Sequence, residues 1–286
     1  MRKNHASVKT VSIASIIGDN VTDEEDEISV EEPLEIRVNI PHSAGALKRS
    51  IAVTMRTPGN DAALAVGFLF TEGLVRAPSD IVHIDFPATN IAEISLAETV
   101  RFDPARLDRH SFVSSSCGVC GKRSIAAVFA LRPAALHSGA PQLSNGVIHG
   151  LAAAQRAAQK TFHRTGGLHA AALFEPDGQL RSLYEDVGRH NALDKLIGAE
   201  FLAGRAPLAD TILLVSGRAS FELVQKSVIA GIPVMAAVGA PSSLAVSLAR
   251  QSQMTLLGFV RDNRFNVYAE AGRLLTTRAP AEVTSR

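Results

Sequence analysis

The two cysteines of this 286-residue chain, Cys117 and Cys120, stand three positions apart in the run Ser114-Ser115-Ser116-Cys117-Gly118-Val119-Cys120-Gly121-Lys122. A thiol reacts as its thiolate, which nearby cations and a helix N-terminus stabilise. Both are expected here. Lys122 and Arg123 follow directly, and residues 124–131 read as a helix whose first turn lies just after Cys120. Inert buried cysteines are rarely set among glycine, serine and lysine in one loop, so the expectation is a reactive pair. A dithiol redox couple and a persulfide carrier both need a nucleophilic sulfur with a second thiol nearby, and spacing alone does not separate them. A structural zinc site is disfavoured: two thiols do not complete a four-ligand set, and no Cys-x-x-His or second Cys-x-x-Cys supplies the rest.

His169, in Gly166-Gly167-Leu168-His169-Ala170-Ala171, invites comparison with zinc nucleoside deaminases, which combine His-x-Glu with Pro-Cys-x-x-Cys. Position 171 is alanine, so the general acid/base is missing. The cysteine pair precedes His169 in the chain and lacks the proline. Deamination is excluded, and His169 reads as a loop or pocket residue.

Composition restricts the remaining classes. With 46% hydrophobic and 20% charged residues the chain is globular and long enough for two domains. Lys and Arg total 29 against 28 Asp and Glu, so no global field favours nucleic acid or a membrane surface. Asp19, Asn20 and the acidic run Asp23-Glu24-Glu25-Asp26-Glu27 interrupt the N-terminal region before any signal-peptide core can form. No stretch reaches the roughly 18 apolar residues of a spanning helix. A soluble, cytoplasmic protein is expected, with the acidic run as a solvated surface turn.

The elements that must position the reactive groups fall into two sets. Residues 34–40, 50–55 and 91–96 alternate like half-buried strands, and residues 62–69 read as a helix capped by Asn60 or Asp61 and closed by Gly73. This predicts a small α+β N-terminal domain over 1–110, with the polar stretch 103–110 as connection. Residues 111–286 form the second domain, opening with the cysteine loop. There one helix is expected over 147–163, then a β-hairpin over 170–174 and 179–184 and a helix over 189–198. Apolar strands at 211–215, 233–238 and 255–260 alternate with helices at 219–230 and 242–251, the pattern of a mainly parallel sheet covered on both faces. The class is α/β, with three layers in the second domain.

Ligands of such sheets bind outside the carboxyl ends of the strands, where backbone amides at helix starts hold anions. Ser216-Gly217-Arg218, Gly239-Ala240-Pro241-Ser242 and Arg261-Asp262-Asn263-Arg264 each follow an apolar strand, and Glu185-Asp186-Val187-Gly188-Arg189 closes the hairpin. Glycines allow close backbone approach, arginines offer forked donors to phosphate, and Asp186 or Asp262 would accept from a guanine or ribose edge. No P-loop and no Gly-x-Gly-x-x-Gly turn is present, which disfavours a P-loop ATPase and a conventional dinucleotide dehydrogenase.

Three segments together resemble one family: Ser116-Cys117-Gly118-Val119-Cys120-Gly121-Lys122; Thr165-Gly166-Gly167-Leu168-His169-Ala170-Ala171 with Glu185-Asp186-Val187-Gly188-Arg189-His190-Asn191-Ala192-Leu193-Asp194-Lys195; and Ser216-Gly217-Arg218 with Phe259-Val260-Arg261-Asp262-Asn263-Arg264-Phe265-Asn266-Val267-Tyr268. The chain resembles the FdhD sulfur carrier proteins, accessory factors for formate dehydrogenase, over about residues 32–271. The resemblance implies a cytidine-deaminase-like second domain without zinc chemistry, assembled as a homodimer. It further implies that a cysteine desulfurase loads a persulfide onto Cys117, with Cys120 assisting. The sulfur would then pass to the molybdenum cofactor, bis-molybdopterin guanine dinucleotide, bound as a substrate before insertion into formate dehydrogenase. The residues placed on that cofactor are Phe259, Val260, Arg261, Asp262, Asn263 and Arg264, together with Ser216, Gly217, Arg218, Gly188, Arg189 and His169. The departure from the family pattern is Asp262-Asn263, which leaves both flanking arginines in place. No resident metal, nucleic acid or membrane is implied. A thiol-disulfide oxidoreductase and a non-catalytic cofactor chaperone remain as alternatives.

Overall fold

The computed structural model describes residues 6–42, 45–100 and 135–275. The cysteine loop at 114–122, the helix expected at 124–131, the connection at 103–110 and the boundary at 110/111 lie outside them.

The chain opens as a two-stranded ribbon, β1 (Val8–Ile17) antiparallel to β2 (Asn20–Ser29), turning through Gly18 and Asp19. The acidic run at 23–27 is therefore extended strand, not a surface turn. Both ribbon faces are solvated, so there is no apolar alternation to mark it in the sequence. Next come β3 (Glu32–His42), β4 (Gly45–Arg56), α1 (Asp61–Thr71), β5 (Ile81–Asp85) and β6 (Ile91–Leu96), with the four strands in the order β4-β3-β6-β5. Leu34, Ile36, Val38 and Ile40 alternate inward along β3 and pack with Leu64 and Leu69 of α1. Asn60 occupies the N-cap of α1, but in the left-handed region and with no side-chain cap bond.

After residue 135 come α2 (Asn145–Ala158), α3 (Lys160–Thr165), β7 (His169–Phe174), β8 (Leu180–Asp186) and α4 (Arg189–Leu202). They are followed by β9 (Ile212–Val215), α5 (Phe221–Ile229), β10 (Val234–Ala237), α6 (Ser243–Gln251), β11 (Thr255–Arg261) and β12 (Arg264–Ala269). The single helix expected over 147–163 is broken at Gln159, whose ψ of 75° leaves the helical region. The six strands run β12-β11-β10-β9-β7-β8. Only β9, β10 and β11 are mutually parallel; β7 lies antiparallel to β8 and β9, and β12 antiparallel to β11. The sheet is thus mixed rather than mainly parallel, because it begins with one hairpin and ends with another. Three layers are present. Leu173, Leu213 and Met235 face α4, α5 and α6, while Phe174, Leu214 and Val234 face Ile148 and Leu151 of α2.

The four-stranded unit meets the six-stranded unit where α1 crosses α4. A Cβ on Gly67 would come within 1.9 Å of the Asp194 carbonyl oxygen, and one on Gly198 within 1.9 Å of the Ala63 carbonyl oxygen. Only glycine permits this backbone approach.

Candidate functional site

Strand directions bring the expected ligand residues to one edge of the large sheet. Because β7 is antiparallel to β9, the start of β7 at His169 and the end of β8 at Asp186 lie beside the carboxyl end of β9, where Ser216 and Gly217 follow. The Ala170 N–H donates to Ser216 Oγ at 2.9 Å, the Ser216 N–H to the Ala170 carbonyl at 3.0 Å, and Ser216 Oγ lies 3.5 Å from His169 Nδ1. The imidazole also borders Gly217, where a Cβ would meet it at 3.4 Å. The Gly239 N–H donates to the Gly217 carbonyl at 3.0 Å, and the Phe259 N–H to the Gly239 carbonyl at 3.2 Å. A continuous backbone rim therefore runs across the ends of β9, β10 and β11.

Helix starts open onto this rim. Ser220 caps α5 by accepting from the Leu223 N–H, and Ser242 caps α6 by accepting from the Ala245 N–H. Gly188 is the N-cap of α4. Phe259 has a φ of 53° at an irregularity between Gly258 and Arg261, a backbone strain of order 1–3 kcal/mol for a residue with a side chain. Beyond it β11 continues to Arg261, which pairs with Arg264 across the exposed two-residue turn Asp262-Asn263.

Arg218, Arg261 and Arg264 are exposed and Arg189 is half-buried. Among the described residues none of the four makes a side-chain hydrogen bond or ion pair; Arg189 acts through its charge on His169. Burial first, and Arg189 second, push the His169 imidazole below its ordinary range against the opposing pull of Asp186. His169 is accordingly a neutral ring near pH 7, able to donate or accept. Val260 differs from its neighbours: its side chain is wholly buried in the core facing α2, so it offers a ligand only its backbone.

The long acidic-basic motif divides between rim and interior. Asp186 is fully buried, and its carboxylate is occupied: it ion-pairs with Lys195 at 2.7 Å and accepts from the N–H groups of Thr57 at 3.1 Å and Gly188 at 2.8 Å and from Asn191 Nδ2 at 3.1 Å. It therefore does not face a guanine or ribose, contrary to expectation. Asn191 Nδ2 also donates to the Met55 carbonyl at 2.7 Å, and Lys195 Nζ to the Thr57 carbonyl at 2.8 Å. Glu185 holds the start of α3, accepting from the Thr161 and Phe162 N–H groups. One turn further along α4, Asp194 receives two bonds of 3.0 Å from Lys226 Nζ, which also donates to Thr71 Oγ1 at 2.9 Å. Burial opposes the charge on Lys226, but Asp194, Glu222 and Glu72 outweigh it and hold the ammonium above its ordinary range.

His190, in the same motif but absent from the expected ligand set, is buried with Nε2 3.3 Å from both Ser220 Oγ and Glu222 Oε2. Its position between Arg189 and Asn191 was the one signal available in the sequence. Cys117 and Cys120 lie outside the described residues. Among the described residues, no group of three or more His, Cys, Asp or Glu is gathered to hold a metal ion. No helix there is long and apolar enough to cross a membrane.

Fold and rim define an α/β protein whose strand ends are suited to an anionic ligand. The model of the FdhD/NarQ family matches residues 29–275, and the chain belongs to that family. It is 46% identical to a protein named sulfur carrier protein FdhD from Streptomyces avermitilis, across 90% of this chain and 92% of that one. A protein of the same name from Mycobacterium tuberculosis is 43% identical, across 92% and 96%. A crystal structure from Desulfotalea psychrophila, described as a formate dehydrogenase accessory protein, superposes with a TM-score of 0.73 at 23% identity. It covers 94% of this chain and all of that one, and is a likeness of fold.

Proposed function

We propose that this chain is a sulfurtransferase that carries sulfur on Cys117 from a cysteine desulfurase to the molybdenum cofactor, bis-molybdopterin guanine dinucleotide, before that cofactor enters formate dehydrogenase. The observation that carries the reading is the family match, which runs through both cysteines and includes relatives named as sulfur carriers. The Cys117 thiolate attacks the outer sulfur of the desulfurase persulfide; the S–S bond breaks, the desulfurase cysteine leaves as thiolate, and Cys117 holds the persulfide. No net oxidation occurs in this step. For delivery, the Cys120 thiolate attacks the inner sulfur, forming a Cys117–Cys120 disulfide and expelling hydrosulfide to the cofactor. A reducing thiol restores the pair. This cycle suits the reducing cytoplasm.

The rim supplies the support for the cofactor's place. Gly188, Ser216 and Gly217 offer close backbone approach, Arg189, Arg218, Arg261 and Arg264 carry positive charge that no described residue pairs, and Phe259 offers a ring to a base. His169 is neutral and adds a hydrogen-bonding nitrogen without adding charge. The working unit in this proposal is a homodimer. Incubation with a cysteine desulfurase and L-cysteine, followed by mass spectrometry of the alkylated protein, tests the sulfur step. One added sulfur atom on the Cys117 peptide, absent from Cys117→Ala, is the expected result. A Cys117–Cys120 disulfide with no added sulfur at any stage would instead indicate a thiol-disulfide oxidoreductase.

A further inference from the structure

Two helices that open onto the rim are joined by a ladder of buried polar side chains. His190 and Asp194 stand four apart on α4, and Glu222 and Lys226 four apart on α5, so each pair shares one helix face. His190 Nε2 lies 3.3 Å from Glu222 Oε2, and Lys226 Nζ lies 3.0 Å from Asp194 Oδ1. None of the four residues is more than 9% exposed. The lower rung also takes in α1, where Thr71 Oγ1 donates to Asp194 Oδ1 at 3.1 Å.

The upper rung sits where the rim is made. His190 follows Arg189 directly, and its Nε2 is also 3.3 Å from Oγ of Ser220, the N-cap of α5, two residues after Arg218. A carboxylate only accepts, so the Nε2 facing Glu222 carries the proton. The same Ser220 Oγ accepts from the Leu223 N–H at 3.4 Å, and one imidazole therefore reaches both the cap and the first turn of α5. The two helix starts are anchored to different parts of the molecule. Ahead of α5, the Ala219 N–H donates to the Ala240 carbonyl at 3.1 Å and the Ser242 N–H to the Ala219 carbonyl at 3.0 Å, which ties that start to the loop after β10. On α4, Asn191 accepts from Thr54 Oγ1 at 3.1 Å and donates to the Met55 carbonyl, which ties that start to β4 of the four-stranded unit. His190 spans the two.

We propose that His190 is a positioning residue for the ligand of the rim: by holding Ser220 and Glu222 it sets the start of α5, with Arg218, against the start of α4, with Arg189. The inference rests on the reading that the rim binds the guanine dinucleotide end of the cofactor, and gives His190 no contact with that ligand. An anion bound between two helix starts gains from both only at a spacing that suits it. Misplacement by about 1 Å is enough to lose much of such a gain. Because Thr54, Asn191 and His190 follow one another from β4 onto α4, the four-stranded unit sets that spacing through this contact.

Calorimetric titration with guanosine diphosphate, and amide hydrogen exchange without ligand, test the two halves of this separately. His190→Ala removes the imidazole, His190→Leu removes the donor but keeps the bulk, and His190→Gln returns an amide N–H. The Ala and Leu variants should bind guanosine diphosphate about tenfold more weakly and exchange the Leu223 amide at least about fivefold faster. The Gln variant should stay within about twofold of wild type in both. Val228→Ala, a core change further along α5, should lower thermal stability and leave the affinity unchanged, which separates positioning from general loosening. Wild-type affinity or exchange in the Leu variant, a Gln variant as impaired as Leu, or equal weakening in Val228→Ala would overturn the positioning role. No binding to wild type would instead overturn the reading of the rim, and the exchange rates, taken without ligand, would still support or overturn the hold of His190 on α5.

Discussion

The seam between α1 and α4 and the rim at the strand ends use similar residue types to opposite ends. In the seam, Asp186 with Lys195 and Asp194 with Lys226 are buried, and each charge faces an opposite charge and further hydrogen-bonding groups. At the rim, Arg189, Arg218, Arg261 and Arg264 have no side-chain partner among the described residues, and Phe259 has a strained, left-handed backbone. Charges that are paired out of water hold a fold together; charges left unpaired beside glycine amides are available to a ligand. The motif from Glu185 to Lys195 serves both regions. Its first helical residue, Arg189, belongs to the rim, while Asn191, Asp194 and Lys195 further along α4 bond to the four-stranded unit.

The sharpest way to break this contrast is to remove one partner from each region. Asp194→Ala leaves the Lys226 ammonium buried without its carboxylate and should cost about 3–5 kcal/mol of unfolding free energy in denaturant titration. Arg218→Ala, at the exposed rim, should change stability by no more than about 0.5 kcal/mol. Comparable losses in the two variants would erase the distinction. A smaller effect sharpens it within the rim. Arg189→Ala removes a cation that holds the His169 imidazole down, so the His169 titration followed by NMR should move up towards the ordinary histidine range. In wild type the lowered folded-state value means that His169 contributes stability present above the unfolded histidine pKa of about 6.5 and lost as pH falls below it. An unmoved titration would show that Arg189 does not act on His169.

The large-sheet strands were legible in the sequence because 211–215, 233–238 and 255–260 are continuous apolar runs bounded by glycine, proline or polar turns. Placing Ser216-Gly217-Arg218 and Arg261 to Arg264 after the carboxyl ends of strands then followed from strand direction, whereas Phe259 joined them only through the family resemblance. The ribbon was not legible because both its faces are wet, and β12 was not because its buried and exposed positions do not alternate strictly. The seam was invisible for a different reason: Thr57 and Asp186 are 129 positions apart, and Thr71 and Lys226 are 155 apart. Nothing local marks such partners. A carboxylate read from sequence has no direction, so Asp186 looked like a ligand group until its neighbours could be counted.

The central claim is that the strand-end rim holds the guanine dinucleotide end of the cofactor for a sulfur carried on Cys117. Calorimetric titration of guanosine diphosphate into wild type and into the Arg218→Ala/Arg264→Ala variant tests it most directly. The account predicts that the double variant, equally stable to heat, binds at least about tenfold more weakly, roughly 1.4 kcal/mol. Wild-type affinity in that variant, or no binding to either protein, would contradict it.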